Sequence, residues 1–277
     1  KADLATYYQA VAPLMLPELA DRPLSLLRLP EGMAGERFFQ KHPGKGFPDA
    51  LKIQQIAESD GDLAPYAYVT DAAGTVGAVQ MGSVEFHIWG ARRDRLDRPD
   101  RLVFDLDPDE GLGFAATRSA ALDLRCQLED LGLKSWALLS GGKGVHIVVP
   151  LRRTASWETV RLFSRGVALL AAQSEPERFT AEMSKAKRKG RIFIDWLRNE
   201  RGATAIAPFS VRARPAAPVA CPVSWAELPR IRSAGAFTTA QALERGWADV
   251  TRPGPQSLTT AVIDALDRAL SDSAART

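Results

Sequence analysis

Apolar residues recur at helical spacing from Asp3 to Leu19 and predict an amphipathic helix. Pro13 and Pro17 are expected to kink or split it, because proline lacks the backbone donor and crowds the preceding turn. Arg22 to Gly82 shows no sustained period; proline and glycine punctuate it, with short strand-like runs such as Gly35–Lys41 between them. Val84 to Trp89 alternates strictly. Val84, Phe86 and Ile88 share one face, and Glu85, His87 and Trp89 share the other.

The middle of the chain is more regular. Arg101–Asp107 reads as a strand stopped by Pro108, and a helix follows from Phe114 to Asp130 with Gly132 as its C-terminal cap. Strands from Ser135 to Leu139 and from Val145 to Leu151 are joined by the tight run Ser140-Gly-Gly-Lys-Gly144. A helix from Trp157 to Gln173 and a strand from Arg191 to Leu197 come next. Between Pro208 and Pro222 the prolines predict an extended surface segment; short helices from Thr239 to Arg245 and from Leu258 to Leu270 close the chain. The central order strand–helix–hairpin–helix–strand predicts an α+β fold, with helices packed on a largely antiparallel sheet. Residues 1–277 are expected to form a single domain.

Composition narrows the classes. No apolar run approaches the roughly 20 residues of a membrane span, and the first ten residues lack the apolar stretch of a signal peptide. Two cysteines without CxxC spacing, Cys126 and Cys221, argue against a disulfide scaffold or a Cys-rich zinc site and fit a reducing cytoplasm. The chain does not begin with Met, which suggests a piece of a longer polypeptide. A net charge of +3 says little, but its distribution says more. Residues 184–191 hold five cations in eight positions, with Arg198, Arg201, Arg212 and Arg214 beyond, while carboxylates crowd Asp105–Glu110. Separate acidic and basic clusters suit a site that handles metal ions and phosphates together, and Lys185, Lys187 and Arg188 are candidate nucleic-acid contacts.

Three constellations carry candidate chemistry. Asp105 and Asp107 sit two apart on a strand, so both carboxylates share one face with Val103, opposite Phe104 and Leu106. A hard divalent ion would relieve their repulsion; a solvated strand end before a turn is the alternative. In Ser140–His146, three glycines let backbone N–H groups approach a phosphate, Lys143 adds charge, and His146 faces away from Val145, Ile147 and Val149. A plain hairpin turn is the alternative there. Asp195, inside Ile192-Phe-Ile-Asp-Trp-Leu197, is costly to bury unless it meets a metal or pairs with a nearby arginine. The GLGFAA run at 111–116 imitates a dinucleotide fingerprint, but the acidic residues before it would repel a pyrophosphate.

Together FDLDP, SGGKGVH and IFIDW resemble the three motifs of the archaeo-eukaryotic primase family: DxD, SGxxGxH and a later Asp on a hydrophobic strand. FFQKH, EFHIW and APFSVRARPAAPVACPVSWAEL are similar to signatures of one branch, the polymerase module of bacterial ATP-dependent DNA ligase D, the end-joining ligase that works with Ku. The resemblance covers essentially the whole chain. It implies a primase-like core, a mixed and mostly antiparallel sheet flanked by helices. It implies a nucleotidyltransferase that extends DNA 3′ ends by gap filling and short untemplated addition during double-strand-break joining. On it, Asp105, Asp107 and Asp195 match the family's catalytic metal triad, for two Mn²⁺ (preferred) or Mg²⁺ ions. Ser140, Lys143 and His146 match the motif that holds the triphosphate. Phe39 lies in a nucleotide-stacking segment and Lys41 in a DNA-end contact; His87, Arg212 and Arg214 match active-site positions. No zinc is expected, since the zinc cysteines of many primases are missing. Implied partners are 5′-phosphorylated DNA ends, nucleoside triphosphates with ribonucleotides preferred, Ku, and ligase and phosphoesterase modules of the same polypeptide. A bacterial cytoplasmic, nucleoid-associated setting without membrane follows. The competing readings are a DxD glycosyltransferase and a non-catalytic module that bridges DNA ends.

Overall fold

Alternation and helical periodicity sort the chain into two sheets, each with one face under helices. The computed structural model describes residues 1–44, 46–58 and 60–275. Strands β1 (Leu24–Arg28), β2 (Phe38–Gln40), β3 (Lys52–Ala57), β4 (Leu63–Tyr68) and β5 (Ser83–Trp89) come first. Next are β6 (Arg101–Pro108), β7 (Trp136–Leu139), β8 (Val145–Pro150), β9 (Phe179–Thr180) and β10 (Ile192–Asp195), then β11 (Thr204–Ile206) and β12 (Cys221–Val223). The helices are α1 (Ala2–Leu19), α2 (Ala72–Gln80), α3 (Phe114–Asp130), α4 (Trp157–Ser174), α5 (Thr239–Arg245) and α6 (Thr260–Ala274). Among the described residues, one six-stranded sheet runs β11-β5-β1-β4-β3 with β2 also on β1, and a second runs β12-β7-β8-β6-β10-β9. Every strand pair is antiparallel except β9 with β10.

The strand parity expected from sequence holds on both sheets. Leu102, Phe104 and Leu106 of β6, Val145, Ile147 and Val149 of β8, and Ile192 and Ile194 of β10 share a core with residues of α3, α4 and α6. Phe86 and Ile88 of β5 pack with Tyr8, Val11 and Met15 of α1. Residues of opposite parity face the space between the sheets. There Val103, Trp136 and Val148 of the second sheet meet Ala205 and Ile206 of the first. The aspartates and histidines singled out above lie on these inner faces.

Three expectations are corrected. Among the described residues, the stretch from Arg22 to Gly82 carries four strands and α2, more regular structure than its pattern predicts, and the expected mostly antiparallel strands are divided between two sheets. Its period is weak because β3 (Lys-Ile-Gln-Gln-Ile-Ala) is largely exposed and β2 is only three residues long. Helix α1 runs unbroken through Pro13 and Pro17, with Tyr7, Tyr8, Val11, Ala12, Met15 and Leu19 buried. That apolar face outweighs the two donors the prolines lack. The segment from Pro208 to Pro222 is largely interior: Phe209, Val211, Ala213, Val219 and Ala220 are buried, and only residues 214–217 form an exposed turn. Among the described residues no helix is long and apolar enough to cross a membrane, and Cys126 and Cys221 are free.

Candidate functional site

A cleft of about 260 Å³ opens between the sheets where the C-terminal end of β6 meets the start of β8. Asp105 and Asp107 enter it from β6, His146 from β8 and His87 from β5; Thr204, Ala205 and Ile206 form one wall. Ser140, Lys143, Arg212 and Arg214 close the far side. Eight side chains singled out from the sequence thus converge on one cavity. Register makes this possible: Asp105 pairs with His146 on one neighbouring strand and with Asp195 on the other.

Asp195 lies one step behind the cleft wall. Its carboxylate accepts from the Leu197 N–H at 3.0 Å, capping a 3₁₀ turn over Trp196–Asn199. Arg198, on that turn, lies 3.1 Å from Asp195 and 3.2 Å from Asp105. Buried Asn199 clips the turn to β6, accepting from the Val103 N–H at 2.7 Å and donating to the Val103 carbonyl at 2.8 Å. The arginine partner considered for Asp195 is therefore present. Arg198 belongs to none of the sequence motifs; its spacing of three residues after Asp195 is the signal the chain offers for it.

The glycine run is a built loop, and its donors are used internally. Ser140 Oγ accepts from the Gly142 and Gly144 N–H groups, each at 3.2 Å. The Gly141 N–H bonds the Ala234 carbonyl at 3.1 Å. These three backbone donors are thus satisfied within the protein. The positive charge comes from side chains. Arg212 donates to the Ser140 carbonyl, and a Cβ placed on Gly142 would lie 3.4 Å from Arg214 and 3.5 Å from Arg212. Gly141 has φ +65°, and a Cβ on Gly144 would run into the Leu106 carbonyl, so both positions require glycine.

Charge inside the cleft is balanced by named pairs. Burial works against ionisation of Asp105, yet His146 and Arg198 overcome it and hold its carboxyl well below the usual range. Burial raises Asp107, and the neighbouring Asp105 charge adds to this; Arg188 pulls the other way from 2.8 Å. Asp195 is also raised, by burial first and by Asp105 beyond, against the pull of Arg198. His146 Nε2 lies 3.3 Å from Asp105, while its Nδ1 is buried without a partner. Glu85, buried behind the cleft, accepts from His87 Nε2 and from the Ala213 N–H, both at 2.8 Å, and lies 3.2 Å from Arg212. Burial opposes its ionisation, but these partners bring its pKa down to about 2. Burial in turn lowers His87, so near neutral pH its proton sits on Nε2 toward Glu85 and Nδ1 is left as an acceptor. Glu85 shares a strand face with His87, and that alternation was its only mark in the sequence.

The remaining candidates lie outside the cavity. Phe39 is 56% exposed and meets the His87 ring edge-on at 5.1 Å, so it sits at the cleft mouth. Lys41 pairs with Glu58 at 2.6 Å and Lys187 with Glu182 at 2.6 Å, while Lys185 is exposed. Arg188, a candidate nucleic-acid contact, pairs with Asp107 and lies over the Phe193 ring at 4.0 Å.

The donor set suits a hard divalent cation. Three carboxylates sit at one end of two paired strands, and two of them are raised by burial and repulsion that such an ion would relieve. Their side chains are turned to Arg188 and Arg198. Among the described residues no three His, Cys, Asp or Glu side chains converge as a metal-holding group. An ion on the aspartates would take the place those guanidinium groups hold.

A family model described as "LigD, primase-polymerase domain" matches residues 1–250. The multifunctional non-homologous end joining protein LigD of Pseudomonas aeruginosa is 43% identical over 238 residues, which span 84% of this chain and 28% of that protein. LigD of Mycolicibacterium smegmatis is 35% identical over 236 residues, 84% of this chain and 31% of that protein. The chain thus spans less than a third of the length of these relatives. Among solved structures, the polymerase domain of Mycobacterium tuberculosis ligase D in complex with DNA aligns with a TM-score of 0.81 and 32% identity, covering 88% of this chain and 87% of that one.

Proposed function

The chain belongs to the LigD primase-polymerase domain family, and from that premise we propose that it is a nucleotidyltransferase of non-homologous end joining. It adds nucleotides to DNA 3′ ends, filling gaps against a template and making short untemplated additions. The observation that carries this reading is the junction of Asp105 and Asp107 with Lys143, Arg212 and Arg214 in one cleft. That junction sets carboxylates for a divalent ion beside side-chain cations for phosphates. The finer features are part of the same proposal: ribonucleotides preferred over deoxyribonucleotides, Mn²⁺ over Mg²⁺, 5′-phosphorylated ends as substrate, and Ku with ligase and phosphoesterase modules as partners in a bacterial cytoplasm.

The reaction is attack of a primer 3′-hydroxyl on the α-phosphate of a nucleoside triphosphate, releasing pyrophosphate and a proton. Divalent ions held by Asp105, Asp107 and Asp195 supply Lewis acidity for phosphoryl transfer when bound. Lys143, Arg212 and Arg214 bind the triphosphate and stabilise the charge that grows on the departing phosphates. A cavity of about 260 Å³ suits the phosphates better than a whole nucleotide. The base then lies at the mouth, where exposed Phe39 offers a stacking face and His87 Nδ1 an acceptor. Glu85 keeps His87 and Arg212 in place, and Ser140 shapes the loop that carries Lys143.

Primer extension on a 5′-phosphorylated gapped duplex tests the proposal, with Mn²⁺, ribo- or deoxynucleotides and an Asp105→Ala control. Extension by the parent and none by the variant is the expected result, stronger with ribonucleotides. Salt-sensitive DNA binding that survives the substitution, with no extension by the parent, would replace polymerase activity with end bridging. Binding of nucleotide sugars but not DNA would favour the glycosyltransferase.

A further inference from the structure

A second cavity of about 710 Å³ lies at the other end of β6 and β8, lined by Arg101 at the start of β6 and Pro150 at the end of β8. Asp105 is four residues further along β6, roughly 13 Å at strand rise. Val103 and Ile206 fill the space between the sheets at that point, so the two cavities are separate. The floor is charged and buried. Arg22, 1% exposed, pairs with both oxygens of Asp100. Arg101, 7% exposed, donates to Glu18 at 2.7 Å, while its Nε, 3.5 Å from Asp100, is buried without a hydrogen bond.

Arg92 and Arg153 flank this floor, and Arg95, Arg152 and Arg252 stand at the rim. Arg153 is held by Asp94 at 2.8 Å, with its Nε unbonded. Arg95 and Arg152 make no ion pair among the described residues, and Arg252 approaches Glu18 only to 3.5 Å. Seven guanidinium groups therefore share a cavity whose lining carboxylates are Glu18 and Asp100. The crowding is felt within the floor, where burial and then the Arg101 charge push Arg22 down to about 10. Such an excess of like charge in a concave, partly desolvated site is relieved by a multivalent anion.

We propose that this arginine cleft binds clustered phosphates, either those of a nucleoside polyphosphate or consecutive phosphates of a nucleic-acid strand. Guanidinium forks match phosphate oxygens in bidentate geometry, and seven arginines lining one cavity suit a row of phosphates rather than one. Trp136, Leu151 and Pro253 add an apolar wall against which a sugar or base can pack. The site stands apart from the carboxylate cleft, and its existence does not depend on the activity proposed for that cleft.

Isothermal titration of the full chain with sodium tripolyphosphate, without divalent metal, tests this. Arg95 and Arg152 are exposed, so Arg95→Ala/Arg152→Ala and Arg95→Glu/Arg152→Glu are expected to melt like the parent. Both should lose a tripolyphosphate site, the charge reversal completely, while Lys143→Ala/Arg214→Ala retains that site. A duplex-binding salt series then separates the sources. A strand in the cleft predicts weaker duplex binding by the charge-reversed variant and a log–log slope shallower by about 2. A free nucleotide predicts unchanged duplex binding. Tripolyphosphate stoichiometry that R95E/R152E leaves untouched overturns the proposal, as does a parent whose binding disappears entirely with K143A/R214A.

Discussion

Asp105 and Asp195 are register partners across β6 and β10, and a single guanidinium, that of Arg198, reaches both carboxylates, at 3.2 and 3.1 Å. The strands place two like charges side by side, and a 3₁₀ turn beginning at the next residue returns a cation to them. Arg198 offsets both charges, and a divalent cation held by these aspartates would have to compete with it for the same oxygens.

Arg198→Ala should therefore raise the affinity for Mn²⁺ on the order of tenfold in protein free of DNA and nucleotide, since a competing unit charge is removed at contact distance. Electron paramagnetic resonance of free Mn²⁺ measures this directly. Equal or weaker binding would mean that Arg198 orients the carboxylates for the ion.

Gly144→Ala should destabilise the fold by about 1–3 kcal/mol, because its Cβ meets the Leu106 carbonyl and something must shift. The same movement pulls the Gly144 N–H from Ser140 Oγ, so affinity for triphosphate should fall as well. Thermal melts and nucleotide titration read the two effects. A variant with parental melting temperature and affinity would show that the loop gives way freely.

The Glu85 carboxyl is lowered from 4.5 to about 2 in the folded chain. A depressed carboxyl stabilises fully above its unfolded value and loses that contribution as pH falls through the folded one. Stability from Glu85 should thus decline from about pH 5 downward, ~1.4 kcal/mol being gone by pH 3.5 and on the order of 3 kcal/mol below pH 2. In Glu85→Gln this part of the slope should vanish. Denaturant midpoints at pH 6 and 3.5 for parent and variant check it; parallel losses would assign the acid sensitivity to other groups.

Asp100→Asn should cost about 3–5 kcal/mol, the scale for removing one partner of a buried ion pair. Arg22 would keep its buried position with only the Glu18 carbonyl, the Trp89 carbonyl and an amide to satisfy it, beside the like charge of Arg101. Urea unfolding at neutral pH is the measurement. A loss below about 1 kcal/mol would mean that water or Glu18 takes over the charge.

Local pattern alone determined much of this protein. The two-residue alternation of β6 and β8 put Asp105, Asp107 and His146 on faces opposite their apolar neighbours, and the helices over 114–130 and 157–173 needed only their periodicity. These signals are legible because each residue's burial there depends on its own strand or helix. Where the signal was mixed, as in the largely exposed β3, the strand was not legible, although β2 falls inside the strand-like run Gly35–Lys41 and β5 matches the alternation of Val84–Trp89. The proline-rich stretch after Pro208 looked exposed because proline marks loops locally, whereas its burial comes from distant partners such as Tyr7, which donates to the Phe209 carbonyl across 202 residues. Only tertiary structure decided which cations meet which carboxylates. Arg188 reaches Asp107 from 81 positions away and Arg198 reaches Asp105 from 93, distances over which periodicity carries no information. It alone brought Arg22 and Arg252, at opposite ends of the chain, into one cleft, because charges far apart in sequence become neighbours only when the sheets and helices between them pack.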